Sequence, residues 1–188
     1  MKKNNVKQNM GVTGIVTVRR YKAGTIDKAR EMIAQYGKGK SSSYLKELFA
    51  ENFLGIGARN NNLVVANGVA GRNNIALHLT GVYTTALAIT YGEIGTNATA
   101  PTNADTALGT PTLRKSVDDY DLADNVATFR FFFPDSELVT ATYYEFGTFT
   151  NGTITLSSGQ LFNHALFSPS YVKATGEDTT VEVEFTIS

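Results

Sequence analysis

The sequence contains no cysteine. Disulfides, thiolate catalysis and zinc sites built from cysteine are therefore excluded, and the redox compartment stays open. No apolar run approaches the roughly 20 residues that a helix needs to cross a bilayer, and no stretch has the pattern of a signal peptide. We therefore expect a soluble protein made in the cytoplasm, without a membrane partner.

Charge is scarce as well as balanced. Charged residues make up 18% of the chain, and 17 Lys and Arg face 17 Asp and Glu. Such a chain has no net field to attract nucleic acid, so we expect no nucleic-acid partner. The first residues are locally basic, and a short polar start predicts a flexible tail over 1–10.

The pattern that is present belongs to β-structure. Alternating apolar and polar residues, bounded by turn signals, predict seven or eight strands. The predicted strands are 11–21, 62–66, 87–93, a short one near Leu113, 126–133, 138–149, 160–167 and 179–187. The last is the clearest and predicts that its alternating apolar residues are buried: Val181, Val183, Phe185 and Ile187. The expected fold is an antiparallel, jelly-roll-like β-sandwich preceded by a helical insertion.

Two amphipathic helices are predicted before that sheet. The first covers 26–36, capped by Thr25, and a third short helix follows at 73–79 with Ile75, Ala76 and Leu79 facing inward. The second covers about 44–53, and its apolar stripe consists of Leu45, Leu48, Phe49 and Phe53. The segment 37–43, GKGKSSS, looks like a mobile link between the first two helices.

The helices have two possible roles, which suggest a division of the chain. They pack on their own domain, or they form an exposed arm that docks on a partner. The second role divides the chain into the tail 1–10, a strand with a two-helix attachment segment at 11–61, and a β-sandwich domain at 62–188. The test region for attachment is 22–57, because short helices need a partner for their apolar face.

A long polar loop at 98–110 joins two predicted strands. It is rich in Gly, Thr, Asn, Ala and Pro and buries little apolar area, so its flanks must fix its ends. We expect Asp105 and Thr106 to bond local amides and Arg114 to reach the carbonyls of the loop or a neighbouring carboxylate. The candidate protein-contact residues of the loop region are Asn97, Thr99, Asp105 and Arg114, beside the helical residues Leu45, Leu48, Phe49 and Phe53.

No motif for chemistry emerges. His78 and His164 lack a metal-ligand spacing and are expected to be structural. The acidic run 118–125 lacks the EF-hand spacing and predicts a solvated turn rather than a calcium site. Residue types leave a Ser-His-Asp triad open, but no spacing selects one. We therefore expect no cofactor, no metal, no catalytic residue and no enzymatic activity.

Four segments resemble a family of small structural proteins of tailed bacteriophages. They are NLVVANG with IALHLTG (62–68 and 75–81), ITYGEIGTNATAPTNADTALGTPTLRK (89–115), ATYYEFGTF (141–149) and GQLFNHALFSPSYVKATGEDTTVEVEFTIS (159–188). The chain departs from the family pattern in three places. Asn97 replaces a glycine of the Gly-Thr-Gly motif, Pro111 stands where glutamate is frequent, and His164 replaces an arginine.

This resemblance implies a non-enzymatic virion component with a β-sandwich fold, in the tail, the connector or the capsid as an accessory protein. Its implied partners are other virion proteins and copies of itself in a ring or trimer, and its implied location is the virion, after synthesis in the host bacterial cytoplasm.

Two other functions stay open. The first is a receptor- or glycan-binding module of a tail fibre or adhesin, which exposed Tyr83, Tyr120 and Tyr171 in a groove would favour. The second is a hydrolase, which would need His78 or His164 beside a carboxylate in a pocket.

Overall fold

The computed structural model describes residues 11–40, 42–81 and 86–188. The predicted tail 1–10 and Tyr83 lie outside the described residues. Nine strands and three helices are found in the described part: β1 (Val12–Lys22), α1 (Thr25–Tyr36), α2 (Ser42–Asn52), β2 (Phe53–Val64), α3 (Gly71–Leu79), β3 (Ile89–Gly95), β4 (Pro111–Ser116), β5 (Asp119–Ala123), β6 (Val126–Phe133), β7 (Thr142–Thr150), β8 (Gln160–Val172) and β9 (Glu177–Ile187). With 48% strand and 18% helix, the prediction of a mainly β protein is confirmed.

The strands form one antiparallel sheet that curls into a half-barrel. Its order is β4-β3-β7-β8-β2-β1-β9-β6-β5. β1 and β9 are paired along their whole length, with Val16 opposite Val183 and Val18 opposite Val181. Residues opposite each other in an antiparallel pair share a face, so these valines together line the concave, apolar side.

The main core lies inside the curl of the sheet, between its two halves. Phe131 of β6 meets Phe146 of β7 at a ring distance of 5.3 Å, and Phe162 of β8 meets Phe185 of β9 at 5.1 Å. The predicted burial of Val181, Val183 and Phe185 is confirmed. The same prediction is wrong for Ile187, which is exposed because it is the last residue of β9, at the end of the sheet.

β2 is much longer than the sequence predicted. It begins at Phe53, which was assigned to the second helix, and continues to Val64. The predicted boundary between residues 61 and 62 therefore cuts through this strand. β1 lies between β2 and β9 in the sheet, so the segment 11–61 supplies central strands and the division at residue 61 does not follow the fold.

The first two helices pack on the outer face of the sheet near β6. Leu45 and Leu48 of α2 and Ile26 of α1 form a buried cluster with Phe132. The ring of Phe49, which is only partly buried, stands 5.6 Å from that of Phe132. Of the two predicted roles for the helices, packing against their own domain is the one observed for Leu45 and Leu48.

The N-terminus of α1 is capped by a side chain of strand β9. The backbone N–H of Ile26 donates to Asp178 Oδ2 at 2.8 Å. Thr25, the predicted cap, instead donates its hydroxyl to the carbonyl of Lys22 at 2.6 Å, and the N-cap residue is Gly24. The cap prediction is wrong because a carboxylate from β9 accepts the N–H of Ile26, one of the first amides of the helix.

The segment after α1 is attached to the sheet rather than loose. The N–H of Gly39 donates to Asp119 Oδ1 at 2.8 Å, and Lys38 Nζ donates to the carbonyl of Val117. The predicted mobile link is therefore anchored at these two residues. Ser41, in the same predicted link, lies outside the described residues.

Three smaller predictions are also corrected. The acidic run predicted as a turn contains strand β5, paired with β6. Ala76 and Leu79 of α3 are exposed, and Ile75 is the residue of that helix that packs against the main core. Leu138, predicted to begin a strand, precedes β7. Within the part of the chain that is described, no helix has the length and apolar character needed to span a membrane.

Candidate functional site

The loop between β3 and β4, residues 96–110 (the central loop), is tied down by one buried carboxylate. Glu145 of β7 accepts the N–H of Asn97 at 3.2 Å and that of Thr110 at 2.8 Å with Oε1. Its Oε2 accepts the N–H of Gly109 at 2.9 Å. Both ends of the loop therefore converge on a single side chain that has no solvent exposure.

His164 of β8 continues this network from Glu145 into the middle of the loop. Its Nε2 lies 3.0 Å from Glu145 Oε2, and its Nδ1 lies 2.7 Å from Asp105 Oδ2. Asp105 also accepts the N–H of Thr102 at 2.9 Å and its hydroxyl at 2.6 Å. The expected bonding of Asp105 to local amides is observed, and its second partner is the histidine.

Both ring nitrogens of His164 face carboxylates, and a carboxylate can only accept a hydrogen bond. The ring therefore donates from both nitrogens and carries a positive charge. Burial alone would lower the pKa of His164, but the hydrogen bonds to Glu145 and then Asp105 outweigh it, so this pKa is raised. A positively charged histidine between two carboxylates joins β7, β8 and the central loop.

The two carboxylates respond in the opposite direction. Burial tends to raise the pKa of Glu145, but the bond to His164 and the three backbone amides lower it overall. Burial also opposes ionisation of Asp105, and the bonds from Thr102 and His164 bring its pKa below the usual value. Glu145 and Asp105 are thus held in the charged form that the loop amides and His164 require.

A second buried ion pair fixes the other side of β4. Arg114 Nη1 lies 2.6 Å from Glu93 Oε1 of β3, and both side chains are almost wholly buried. The guanidinium also packs over the ring of Tyr91 at 4.6 Å and that of Phe149 at 4.5 Å. This arrangement suits the planar guanidinium, which can stack on both rings, better than the compact ammonium of a lysine.

The same pair holds the turn between β7 and β8. Arg114 Nη2 donates to the carbonyl of Ser158 at 2.7 Å, and Glu93 Oε1 accepts the N–H of Ser157 at 2.5 Å. Arg114 therefore reaches a neighbouring carboxylate, as one of the two expectations had it, and the carbonyl that it also reaches belongs to the turn between β7 and β8 rather than to the central loop. The pair joins the edge strand β4 to β3 and to the turn at 151–159.

The eight sequence-predicted contact residues fall into two separate regions. Asn97, Asp105 and Arg114 belong to the network around the central loop, and Thr99 is exposed on that loop. Leu45 and Leu48 are buried beneath the helices, so they are not available to another protein in this fold. Phe49 is half-buried and Phe53, in β2, is 44% exposed.

The sequence analysis did not name three residues that hold the central loop and its flanking strands. Glu93 and Glu145 were not named at all, and His164 was expected to be structural but was not placed at the loop. Glu145 and His164 are 19 residues apart and are brought together by β7–β8 pairing. The only sequence signal was the position of each residue inside an apolar strand, where a charged side chain needs a partner.

The arrangement does not offer a catalytic base. A general base needs a ring nitrogen that can take a proton from a substrate, and both nitrogens of His164 are occupied by Asp105 and Glu145. His78, in α3, has its Nδ1 2.9 Å from the carbonyl of Asn74. His164 does stand beside carboxylates, as the hydrolase hypothesis requires, but it is 4% exposed and acts as a bridge.

The acidic run is used in ion pairs and hydrogen bonds. Asp118 contacts Arg30 at 3.4 Å and accepts the N–H of Phe132 at 2.7 Å. Asp119 accepts from Arg130 at 3.1 Å as well as from Gly39. Among residues 11–40, 42–81 and 86–188, no group of three or more His, Asp or Glu side chains is placed to hold a metal ion.

Of the tyrosines predicted for a sugar-binding groove, the two that the structure describes, Tyr120 and Tyr171, do not share one. Tyr171 is buried in the main core, and its hydroxyl lies 2.7 Å from Thr179 Oγ1. Tyr120 is exposed on β5, an edge strand that is separated from β8 in the sheet by β2, β1, β9 and β6. The feature that would favour glycan binding is therefore not present at Tyr120 and Tyr171.

Comparison with protein-family models, with curated proteins and with solved structures finds no match to this chain.

Proposed function

We propose that this protein is a non-enzymatic structural subunit of a tailed-phage virion, in the tail, the connector or the capsid as an accessory, which assembles through protein–protein contacts. One observation carries the proposal. The 15-residue central loop has no secondary structure of its own, yet both of its ends and its middle are fixed by Glu145, His164 and Asp105. Long loops without regular structure are uncommon in compact domains and are often functional.

A loop held in one conformation is suited to assembly. Association costs free energy for every mobile segment that must become ordered, and a loop that is already ordered avoids that cost. Here the buried charges supply the order, while Thr99, Asn103 and Thr106 remain exposed. Such side chains and the backbone groups beside them can bond to a neighbouring subunit without a large apolar surface.

The charged side chains of the network support the structural role over a catalytic one. Glu145 and Asp105 bind loop amides and His164, and Glu93 binds Arg114 and a turn amide. These contacts hold the loop and the turn in place. The resemblance of residues 62–68, 89–115 and 159–188 to phage structural proteins points in the same direction.

The two halves of the curled sheet share one apolar core, with β1, β6 and β9 on one side and β3, β7 and β8 on the other. We infer that they act as the two layers of a jelly-roll-like sandwich, with α1 and α2 as a helical insertion after β1.

Immunogold electron microscopy tests the location. Antibodies raised against the recombinant chain should label purified particles of the phage whose genome encodes it, at one repeated position. Absence of the chain from purified particles, by labelling and by mass spectrometry, would refute the proposed function.

A complementation experiment tests the central loop. In a phage lacking this gene, the variant Thr99→Arg should lower the yield of complete particles, because a long charged side chain stands on the proposed contact surface. The matched control is Ser136→Arg in the exposed turn after β6. Equal particle yields from the two variants would show that the loop is not a contact surface.

A further inference from the structure

A groove beside α3 (the α3 groove) lies outside the network described above. Its largest part is a hollow of about 430 Å³, lined among others by Ile75, Phe129 and Ile187. Ile75 and Phe129 are partly buried residues at the edge of the main core. Among the described residues, no charged side chain lines this hollow. Its volume is that of an ordinary ligand pocket and about three times that of a cavity that holds benzene, so large apolar groups fit it.

Two smaller hollows continue the α3 groove. The second, of about 310 Å³, shares Val12, Ile75 and Ile187 with the first. The third, of about 330 Å³, shares Val12, Thr13 and Arg72 with the second. Because the same side chains line neighbouring hollows, the three hollows form one continuous surface.

One face of α3 forms a wall of this groove. Four residues of the helix line the second hollow: Arg72, Ile75, Ala76 and Leu79. Their spacing of i, i+3, i+4 and i+7 places them on the same side of the helix. Leu79 is 73% exposed, and Ile187, which lines the same hollow, is 51% exposed. The groove is therefore open to another molecule and presents apolar side chains to it.

Positive charge is found at one end of the groove. Of the described residues that line the three hollows, Arg72 is the one with a charged side chain. Its Nη2 donates to Asn103 Oδ1 of the central loop at 2.9 Å, which uses one of the five N–H donors of a guanidinium. The planar fork of the remaining donors matches a carboxylate. The groove therefore offers an anion-binding group next to an apolar surface.

A buried amide beside Arg72 supplies a second polar feature. Asn62 lines the third hollow with Arg72, and its Nδ2 and Oδ1 are buried without a hydrogen-bond partner among the described residues. An unpaired buried polar group costs free energy, so a ligand group that pairs with it is bound more tightly. The amide presents a donor beside an acceptor, and a peptide group presents the same pair in return. A carboxylate alone lacks the donor that Oδ1 requires.

We propose that the α3 groove binds the C-terminal end of an apolar peptide, with the terminal carboxylate on Arg72. The last peptide group of this ligand pairs with the amide of Asn62. Its apolar side chains occupy the second hollow and then the first. Capture of a terminal carboxylate is one of the recurring modes by which proteins recognise peptides.

This inference rests on the proposed function, since it names one kind of neighbour: a virion protein whose C-terminus enters the groove. The groove borders the central loop. Arg72 contacts the side chain of Asn103, and the N–H of Ala66 donates to the carbonyl of Asn103 at 3.1 Å. A single neighbouring protein can therefore contact the groove and the loop together.

Isothermal titration calorimetry of the full chain with synthetic peptides tests the recognition of the carboxylate. The probes are acetyl-Gly-Leu-Val-Phe-Leu as the free acid and the same peptide with a C-terminal amide. The free acid should bind with a Kd below about 1 mM. The amide should bind at least about tenfold more weakly, because it has lost the charge that faces Arg72.

Decanoate tests the recognition of the peptide group. It carries a carboxylate on an apolar chain but has no amide to pair with Asn62. We expect its affinity to be at least about tenfold lower than that of the free-acid peptide. In proton–nitrogen correlation spectra, the side-chain amide signals of Asn62 should shift when the free-acid peptide is added.

Two variants at exposed positions test the site, each with a matched control. Arg72→Gln should lower the affinity for the free acid to that for the amide, whereas Arg59→Gln on β2 should leave it unchanged. Ala76→Glu places a negative charge in the groove and should weaken binding of the free acid at least about tenfold. Ala34→Glu, at an exposed position of α1, should not. Circular dichroism and the melting temperature of each variant confirm that the fold is kept.

Each outcome decides the proposal. Absence of binding of the free acid at about 1 mM overturns it, as do equal affinities for acid and amide or an unchanged affinity in Arg72→Gln. Decanoate that binds as tightly as the peptide would assign the groove to small amphipathic acids instead. A chain that labels virions but binds no peptide would leave the proposed function standing without this site. Peptide binding by a chain that is absent from virions would retain the site and refute the virion role.

Discussion

The central loop and the helix pair α1–α2 are both fixed against the sheet, but by different interactions. The loop is held by buried charges, with Glu145 accepting three backbone amides and His164 joining it to Asp105. The helices are held mainly by apolar burial of Ile26, Leu45 and Leu48 around Phe132. We therefore expect the loop to respond to changes of charge and pH, and the helices to changes of side-chain volume.

The largest effect is expected from Glu145→Gln. One carboxylate oxygen becomes an amide nitrogen that faces other donors, and His164 loses a charged partner in a buried position. We expect a loss of about 3–5 kcal/mol in the free energy of unfolding, measured by urea denaturation. The control is Glu31→Gln on the exposed side of α1, which should change little.

Leu48→Ala should be nearly as damaging. It leaves a cavity between α2 and Phe132, and such substitutions cost about 2–5 kcal/mol. Thermal and urea unfolding of this variant should be compared with Leu122→Ala, an exposed residue of β5. Unchanged stability of Leu48→Ala would mean that the helices are dispensable to the fold, as an attachment arm would be.

Arg114→Lys is expected to cost less because the positive charge opposite Glu93 is kept. The variant loses the bond to Ser158 and the stacking on Tyr91 and Phe149, at a cost of about 1–3 kcal/mol. Arg59→Lys, at an exposed position, is the matched control. Equal denaturation midpoints for the two variants would contradict the structural role of this pair.

The pH profile of stability should show the loop network directly. The pKa of His164 is raised in the folded protein. Its contribution to the free energy of unfolding is therefore fully present below pH 6.5, the ordinary pKa of histidine, and is lost as the pH rises through the folded-state pKa. The pKa values of Glu145 and Asp105 are lowered, so their contributions are present above 4.5 and 3.8 and are lost as the pH falls further.

Unfolding free energies measured between about pH 5 and pH 9 should therefore decline on the alkaline side in the wild type. In His164→Gln this alkaline decline should be reduced, because the titrating group is gone. An alkaline limb that persists unchanged in the variant would assign the decline to another residue.

Thr99→Ala should have the smallest effect on folding, within about 0.5 kcal/mol, because the side chain is exposed. The same urea denaturation measures the stability of this variant. A small effect would mean that loss of the Thr99 side chain does not unfold the protein, so that a lower particle yield from Thr99→Arg is not due to loss of that side chain from the fold. A loss well above that value would show that the hydroxyl helps to hold the loop.

The regular strands were predictable from sequence because one face of each is buried. β6 has the predicted bounds, and the end of β9 was identified from the alternation of Val181, Val183 and Phe185. β2 was only partly predicted, because Gly55, Gly57 and the asparagines at 60–62 interrupt the alternation that identifies a strand. Its place beside β1 depends on pairing over long sequence distances.

The loop network was not predictable in the same way. Asp105 and Arg114 were named because their types and positions suit loop anchoring. Glu145 and His164 are polar residues in apolar strands. Nothing in the sequence around His164 indicates that one of its partners, Glu145, lies in the neighbouring strand and that the other, Asp105, lies in the central loop. Such contacts are set by strand register, which a single sequence does not show.

Backbone hydrogen exchange tests the central claim, that buried charge fixes the loop independently of the helices. In the wild type, the amides of Asn97, Gly109 and Thr110 should be protected. In Glu145→Gln, under conditions where the variant remains folded, these three amides should exchange many times faster, whereas those of α1 and α2 should change little. Equal exchange of the loop amides in both proteins, or equal acceleration in the helices, would contradict the account.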